Sequence, residues 1–169
     1  MVSLVGLLAV LPFKRYLPGI ASDGAVSIEP QRIPPVGERF LKAMNTVRAG
    51  GGLEPYWWNE KAARAAQARV ADMVARDYFS HKTPEGTSGY VEELWKQGVT
   101  NFTLAGENLA MNNFAFNESV ERAMVTLMAS PTHRDNIMDT TFESVGVGWA
   151  EGPTGVFRYC TIFLSGVAP

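Results

Sequence analysis

Apolar residues recur at helical intervals through the middle of this 169-residue chain and switch to strand alternation only near its end. That order excludes a regular alternation of strands and helices, and with it a parallel doubly wound sheet. Phe40, Leu41, Met44 and Val47 share one helical face from about Glu38, and Gly50-Gly51-Gly52 stops the run. Asn59 is placed to cap a second helix, which carries Ala62, Ala63, Ala66, Val70, Met73 and Val74 on one side and ends near Asp77. A shorter helix is expected from Tyr90 to Gln97, and a fourth from Glu118 to Ala129 with Val120, Met124, Leu127 and Met128 as its buried stripe. After Phe142, Val145, Val147 and Trp149 alternate with Gly146 and Gly148, and Val156 to Leu164 is rich in β-branched and aromatic residues. The segment Glu151 to Gly155 joins these two runs as a hairpin turn, and a third strand is expected around Thr103 and Leu104. The fold class is therefore α+β, with helices packed on a small antiparallel sheet.

The body fits one domain, and the residues before it differ in kind. Met1 to Phe13 is uncharged, Lys14-Arg15 follows, and Pro18 to Pro35 is rich in proline, glycine and serine. Thirteen helical residues reach only about 20 Å, short of the ~30 Å hydrocarbon core, so this stretch does not span a membrane alone. We expect an apolar leader at 1–20, acting as a partial export signal or a membrane tether, and a proline-containing linker at 21–36. A formal charge of −2, a pI near 5.7 and the lack of any polybasic run argue against nucleic acid as a partner. The single cysteine, Cys160, cannot close an internal disulfide and reads as a small buried hydrophobe in the run Phe157 to Leu164.

Chemistry-bearing residues are few. The two histidines, His81 in Tyr78-Phe79-Ser80-His81 and His133 in Ser130-Pro131-Thr132-His133, lie where loop signals are dense; Pro131 can start a short helical turn there. Glu107 and Glu143 are isolated acids among apolar or glycine neighbours, which are costly to bury without partners. If the four meet, they can bind a divalent cation or form a proton-transfer network without metal. Neither the helical pair of zinc-ligating histidines nor a Gly-x-Ser-x-Gly elbow is present.

Four segments in order, Phe79-Ser80-His81, Gly106-Glu107-Asn108-Leu109-Ala110, Ser130-Pro131-Thr132-His133-Arg134-Asp135-Asn136-Ile137-Met138 and Phe142-Glu143-Ser144-Val145-Gly146-Val147-Gly148, resemble the bacterial branch of the CAP superfamily. This is the family of cysteine-rich secretory proteins, antigen five and pathogenesis-related proteins, whose domain is also called SCP. The resemblance runs from about Val36 to Gly166 and implies a CAP/SCP domain at 37–169. Leu127, Thr132 and Ile162 depart from the family's frequent tryptophan, glycine and glutamine.

The implied fold is a three-layer α-β-α sandwich with a small antiparallel central sheet. Its cleft would gather His81 and His133 as ligands of a divalent metal, zinc above others, with Glu107 and Glu143 as orienting or oxygen-donating carboxylates. The family is mostly secreted, so the resemblance implies an extracellular, periplasmic or cell-surface location. The partner would be a small ligand, lipid, glycan or peptide, held without catalysis. The alternative is a metal-dependent hydrolase of peptide or cell-wall material with Glu107 or Glu143 as its base. A third reading makes the polar cluster a network that only stiffens the cleft.

Overall fold

The computed structural model describes residues 33–167, so the expected leader at 1–20 and the linker as far as residue 32 lie outside it. The first helix, α1 (Pro35–Gly50), opens two residues before the expected domain boundary, with Pro35 in the first turn, where a missing N–H costs nothing. A two-residue strand, β1 (Trp57–Trp58), precedes α2 (Glu60–Ala75). Asn59 caps α2 as expected, its side chain accepting from the Ala62 amide at 3.0 Å. The chain continues through α3 (Gly89–Lys96), β2 (Leu104–Asn112), α4 (Phe116–Ala129), α5 (Pro131–Met138), β3 (Ser144–Glu151) and β4 (Phe157–Ser165). No helix among the described residues is long and apolar enough to cross a membrane.

The strands form one sheet in the order β1-β3-β4-β2. β3 and β4 are the expected antiparallel hairpin, and β2 runs antiparallel on the other side of β4. The expectation of a purely antiparallel sheet is corrected at one edge: β1 pairs parallel with β3, Trp57 opposite Ser144 and Trp58 opposite Val145, so the sheet is mixed.

Burial on both faces of β4 makes three layers. Tyr159 and Phe163 face α1, α4 and α5 and join Phe40, Met44, Val120 and Phe142, while Cys160, Ile162 and Leu164 face α2 and α3 and join Ala66, Val70, Met73 and Leu94. Strands covered on both sides read as continuous apolar runs, which is why β4 shows no alternation in the sequence. On the second face α2 lies very close to β3. A Cβ at Gly146 or Gly148 would fall on the main chain of Ala62, Ala63 and Ala66, so the glycines of one element and the alanines of the other set this distance.

β2 is the free edge opposite β1, and it is longer than expected. Gly106, Glu107 and Asn108 interrupt its apolar pattern in mid-strand. Those residues carry the cleft.

Candidate functional site at the edge of β2

Successive side chains of a strand point to opposite faces, so Glu107 and Asn108 reach different layers. Glu107 turns toward α2. One carboxylate oxygen, Oε1, lies 3.3 Å from Arg69 Nε and accepts from the Cys160 thiol at 3.4 Å; the other, Oε2, meets His81 Nδ1 at 2.7 Å. Asn108 turns toward α5, where its amide donates to the His133 carbonyl at 2.9 Å and its oxygen accepts from Asn136 Nδ2 at 2.8 Å. The two histidines thus come from opposite sides of the sheet and meet over its rim, ring centres 6.3 Å apart.

The segment bearing His81 is held at both ends. Tyr78 and Phe79 pack partly buried against the α2 face of the core. Beyond His81 a small loop closes on itself through the Thr83 amide donating to the Thr87 carbonyl at 3.0 Å and a bridge between Lys82 and Ser88. The contrast in exposure is large: the His81 side chain is 54% exposed, the Glu107 side chain 1%. A carboxylate can only accept, so Nδ1 carries the proton of this contact, and in the neutral ring the lone pair is then on Nε2.

Burial first, and then the charge of His81, push the His133 imidazole below its ordinary value of 6.5. The folded protein binds that proton more weakly than the unfolded chain. The resulting stability is fully present above 6.5 and declines as pH falls from there through the lowered folded value. A proton NMR titration of the metal-free domain should place the His133 midpoint below 6.5, and His81→Ala should raise it toward that value. A midpoint above 6.5 would contradict this account.

Of the four residues singled out in the sequence, three come together. Glu143 does not. It sits one position before β3, donating its amide to the Leu164 carbonyl, and its carboxylate accepts from the Gly166 amide at 3.2 Å. It lines a separate hollow with Arg48, Trp57 and Phe142. The expectation that Glu143 completes the cleft is corrected, and the reason is sheet order: β4 lies between β3 and β2, a lateral separation of roughly 10 Å at two strand spacings. Among the described residues no group of three or more His, Cys, Asp or Glu is arranged to hold a metal ion. Three residues of the site were overlooked. Asn108 and Asn136 stood in the quoted segments without a role, and Arg69 announces itself only as a charge on the apolar stripe of α2, between Ala66 and Val70.

A family model described as CAP, the cysteine-rich secretory protein family, matches residues 41–164. The chain belongs to the CAP family. Among curated relatives of this CAP domain, the uncharacterized protein YkwD of Bacillus subtilis (strain 168) is 29% identical over 122 residues, which are 72% of this chain and 45% of YkwD. The uncharacterized membrane protein YlbC of the same strain is 28% identical over 111 residues, 66% of this chain and 30% of YlbC. The chain therefore spans less than half the length of these curated relatives. Among solved structures, an extracellular protein containing a SCP domain from Bacillus anthracis superposes with a TM-score of 0.66 at 25% identity, covering 80% of this chain and 45% of that one. The CAP resemblance read from the ordered segments, its bacterial branch and the α-β-α architecture are borne out.

Proposed function

We propose that this CAP domain works outside the cytoplasm, secreted, periplasmic or at the cell surface, as a binding domain whose His81 and His133 hold a divalent ion, zinc above others. The observation that carries this reading is the Glu107 to His81 contact. A carboxylate behind one ring nitrogen fixes the ring and leaves the other nitrogen as a donor, the usual support of a metal-ligating histidine. His133, depressed toward its neutral form, also favours ligation over protonation. The two imidazoles stand at the same rim, with ring centres 6.3 Å apart. A bound zinc ion would supply open coordination positions for an oxygen or nitrogen of a small ligand, lipid headgroup, glycan or peptide. The extracellular location rests on the description of the B. anthracis relative and on the expected leader.

Binding is favoured over hydrolysis by the state of the carboxylates. Both oxygens of Glu107 are engaged, and Glu143 is across β4, so neither is free in the cleft to take a proton from water. Calorimetric zinc titration tests the proposal. His81→Ala and His133→Ala should each weaken zinc affinity by about tenfold or more. Equal affinity in all three proteins would remove the metal site and leave a polar network that only stiffens the cleft.

A further inference from the structure

We infer that Arg69 is the positioning residue of the cleft, holding both the main chain that carries His81 and the carboxylate that its ring faces. Three parts of one guanidinium serve this. Nη2 donates to the carbonyl of Ser80, the residue next to His81 in the chain; Nη1 donates to the Tyr78 hydroxyl; Nε lies 3.3 Å from Glu107 Oε1. The Tyr78 hydroxyl passes the connection on by donating to Asp72, one turn from Arg69 on α2. Arg69 and Glu107 side chains are each 1% exposed, so these contacts are shielded from water.

The guanidinium is also held sterically. Gly89, the first residue of α3, lies against it, and a Cβ there would stand 2.5 Å from Nε and 2.7 Å from Cζ. A planar fork that donates to a carbonyl and a hydroxyl holds its charge in a set place, with Nε 3.3 Å from the carboxylate as an ion pair without a hydrogen bond, which a lysine ammonium on a flexible stem does not reproduce. The consequence reaches the surface through Glu107. With that carboxylate fixed, His81 keeps its proton on Nδ1 and presents the Nε2 lone pair outward at the rim. Arg69 thus acts from beneath, without touching whatever occupies the cleft.

The role in metal affinity rests on the proposed function; the role in fixing the ring does not. The experiment separates them by recording His81 ring nitrogen shifts in the metal-free protein at about pH 8, where imidazole is neutral, and then measuring zinc affinity calorimetrically. Two variants are used, Arg69→Lys, which keeps the charge and loses the fork, and Gly89→Ala, which keeps the arginine and displaces it. Gly89→Ala keeps the arginine and its charge and asks only that the guanidinium shift, so it is a route to a folded variant independent of Arg69→Lys.

The wild type should show the Nδ1–H form alone. Both variants should show a mixture of the two neutral forms and a zinc affinity lower by about ten- to a hundredfold. A folded variant of each kind that retains the single Nδ1–H form would overturn the assignment. A wild type that binds no zinc, yet loses its single form on either substitution, would sink the metal reading and leave Arg69 as the positioning residue.

Discussion

Arg69→Met should lower the unfolding free energy by about 3–5 kcal/mol, read from urea denaturation, because it strands the Glu107 carboxylate in the core without its counter-charge. The side chains are each 1% exposed and the guanidinium nitrogen is 3.3 Å from the carboxylate, so solvent cannot take the place of the missing partner. His81 does not take the guanidinium's place, since it meets the other carboxylate oxygen, Oε2, and Arg69 stands at Oε1. Removing both members is a different case. Arg69→Met combined with Glu107→Leu replaces an ion pair by apolar side chains of similar volume, an exchange that is often neutral or stabilising. The groups released can find other partners: the Tyr78 hydroxyl keeps Asp72, and Ser80 is at the surface. The double variant should therefore recover most of the loss, and the two single losses should be far from additive. Additive losses, or a cost below about 1 kcal/mol for Arg69→Met, would mean that the pair is not a buried unit. The double variant should also weaken zinc binding while remaining stable, since His81 then has no carboxylate behind it. Stability and site geometry are thereby read apart in one set of proteins.

How much of this was legible in the sequence depended on where the signal lay. α1, α2 and α4 each bury one continuous stripe, and spacing alone exposes such stripes. α5 buries only Ile137 fully, so it read as a turn. The strand expected around Thr103 and Leu104 covers only the start of β2, for a functional reason: of the residues that break its apolar pattern, Glu107 and Asn108 hold the two histidine segments. β1 has two residues and exists only because Trp57 and Trp58 fall beside Ser144 and Val145, a pairing that no local pattern encodes. The same limit explains Glu143. It has the isolated-acid signature of Glu107, but which strand separates the two is a property of sheet order. Arg69 carried the opposite signal, a charge at a core position, and such a violation of pattern marks either a helix facing solvent or a buried partner. His81, Glu107 and His133 were legible through their family segments; the groups that support them were legible only in space.

Gly148→Ala should lower stability by about 3 kcal/mol, the upper end of the usual cost of overpacking. The new Cβ would fall on the main chain of Ala66 and Gln67 in α2, and main chain cannot rotate away as a flexible side chain can. Gly146→Ala meets Ala62 and Ala63 in the same way. Relief requires α2 to rise from β3 along the stretch where Ala62, Ala65 and Ala66 are fully buried. Arg69 lies one turn beyond Ala66 on the same helix, so lifting α2 also draws the guanidinium away from Glu107. The substitution should consequently disturb the cleft as well as the core: His81 should lose its single neutral form although no residue of the rim has changed. Gly50→Ala is the control. It ends α1 with nothing within 4 Å of a new Cβ and without positive φ, so alanine there should be neutral or add up to about 1 kcal/mol by restricting the unfolded chain. Equal urea midpoints for Gly148→Ala and Gly50→Ala would refute the close approach of α2 to the sheet. A destabilised Gly148→Ala with an unchanged His81 ring would instead show that the cleft is anchored by β2 and its loop, independently of where α2 sits.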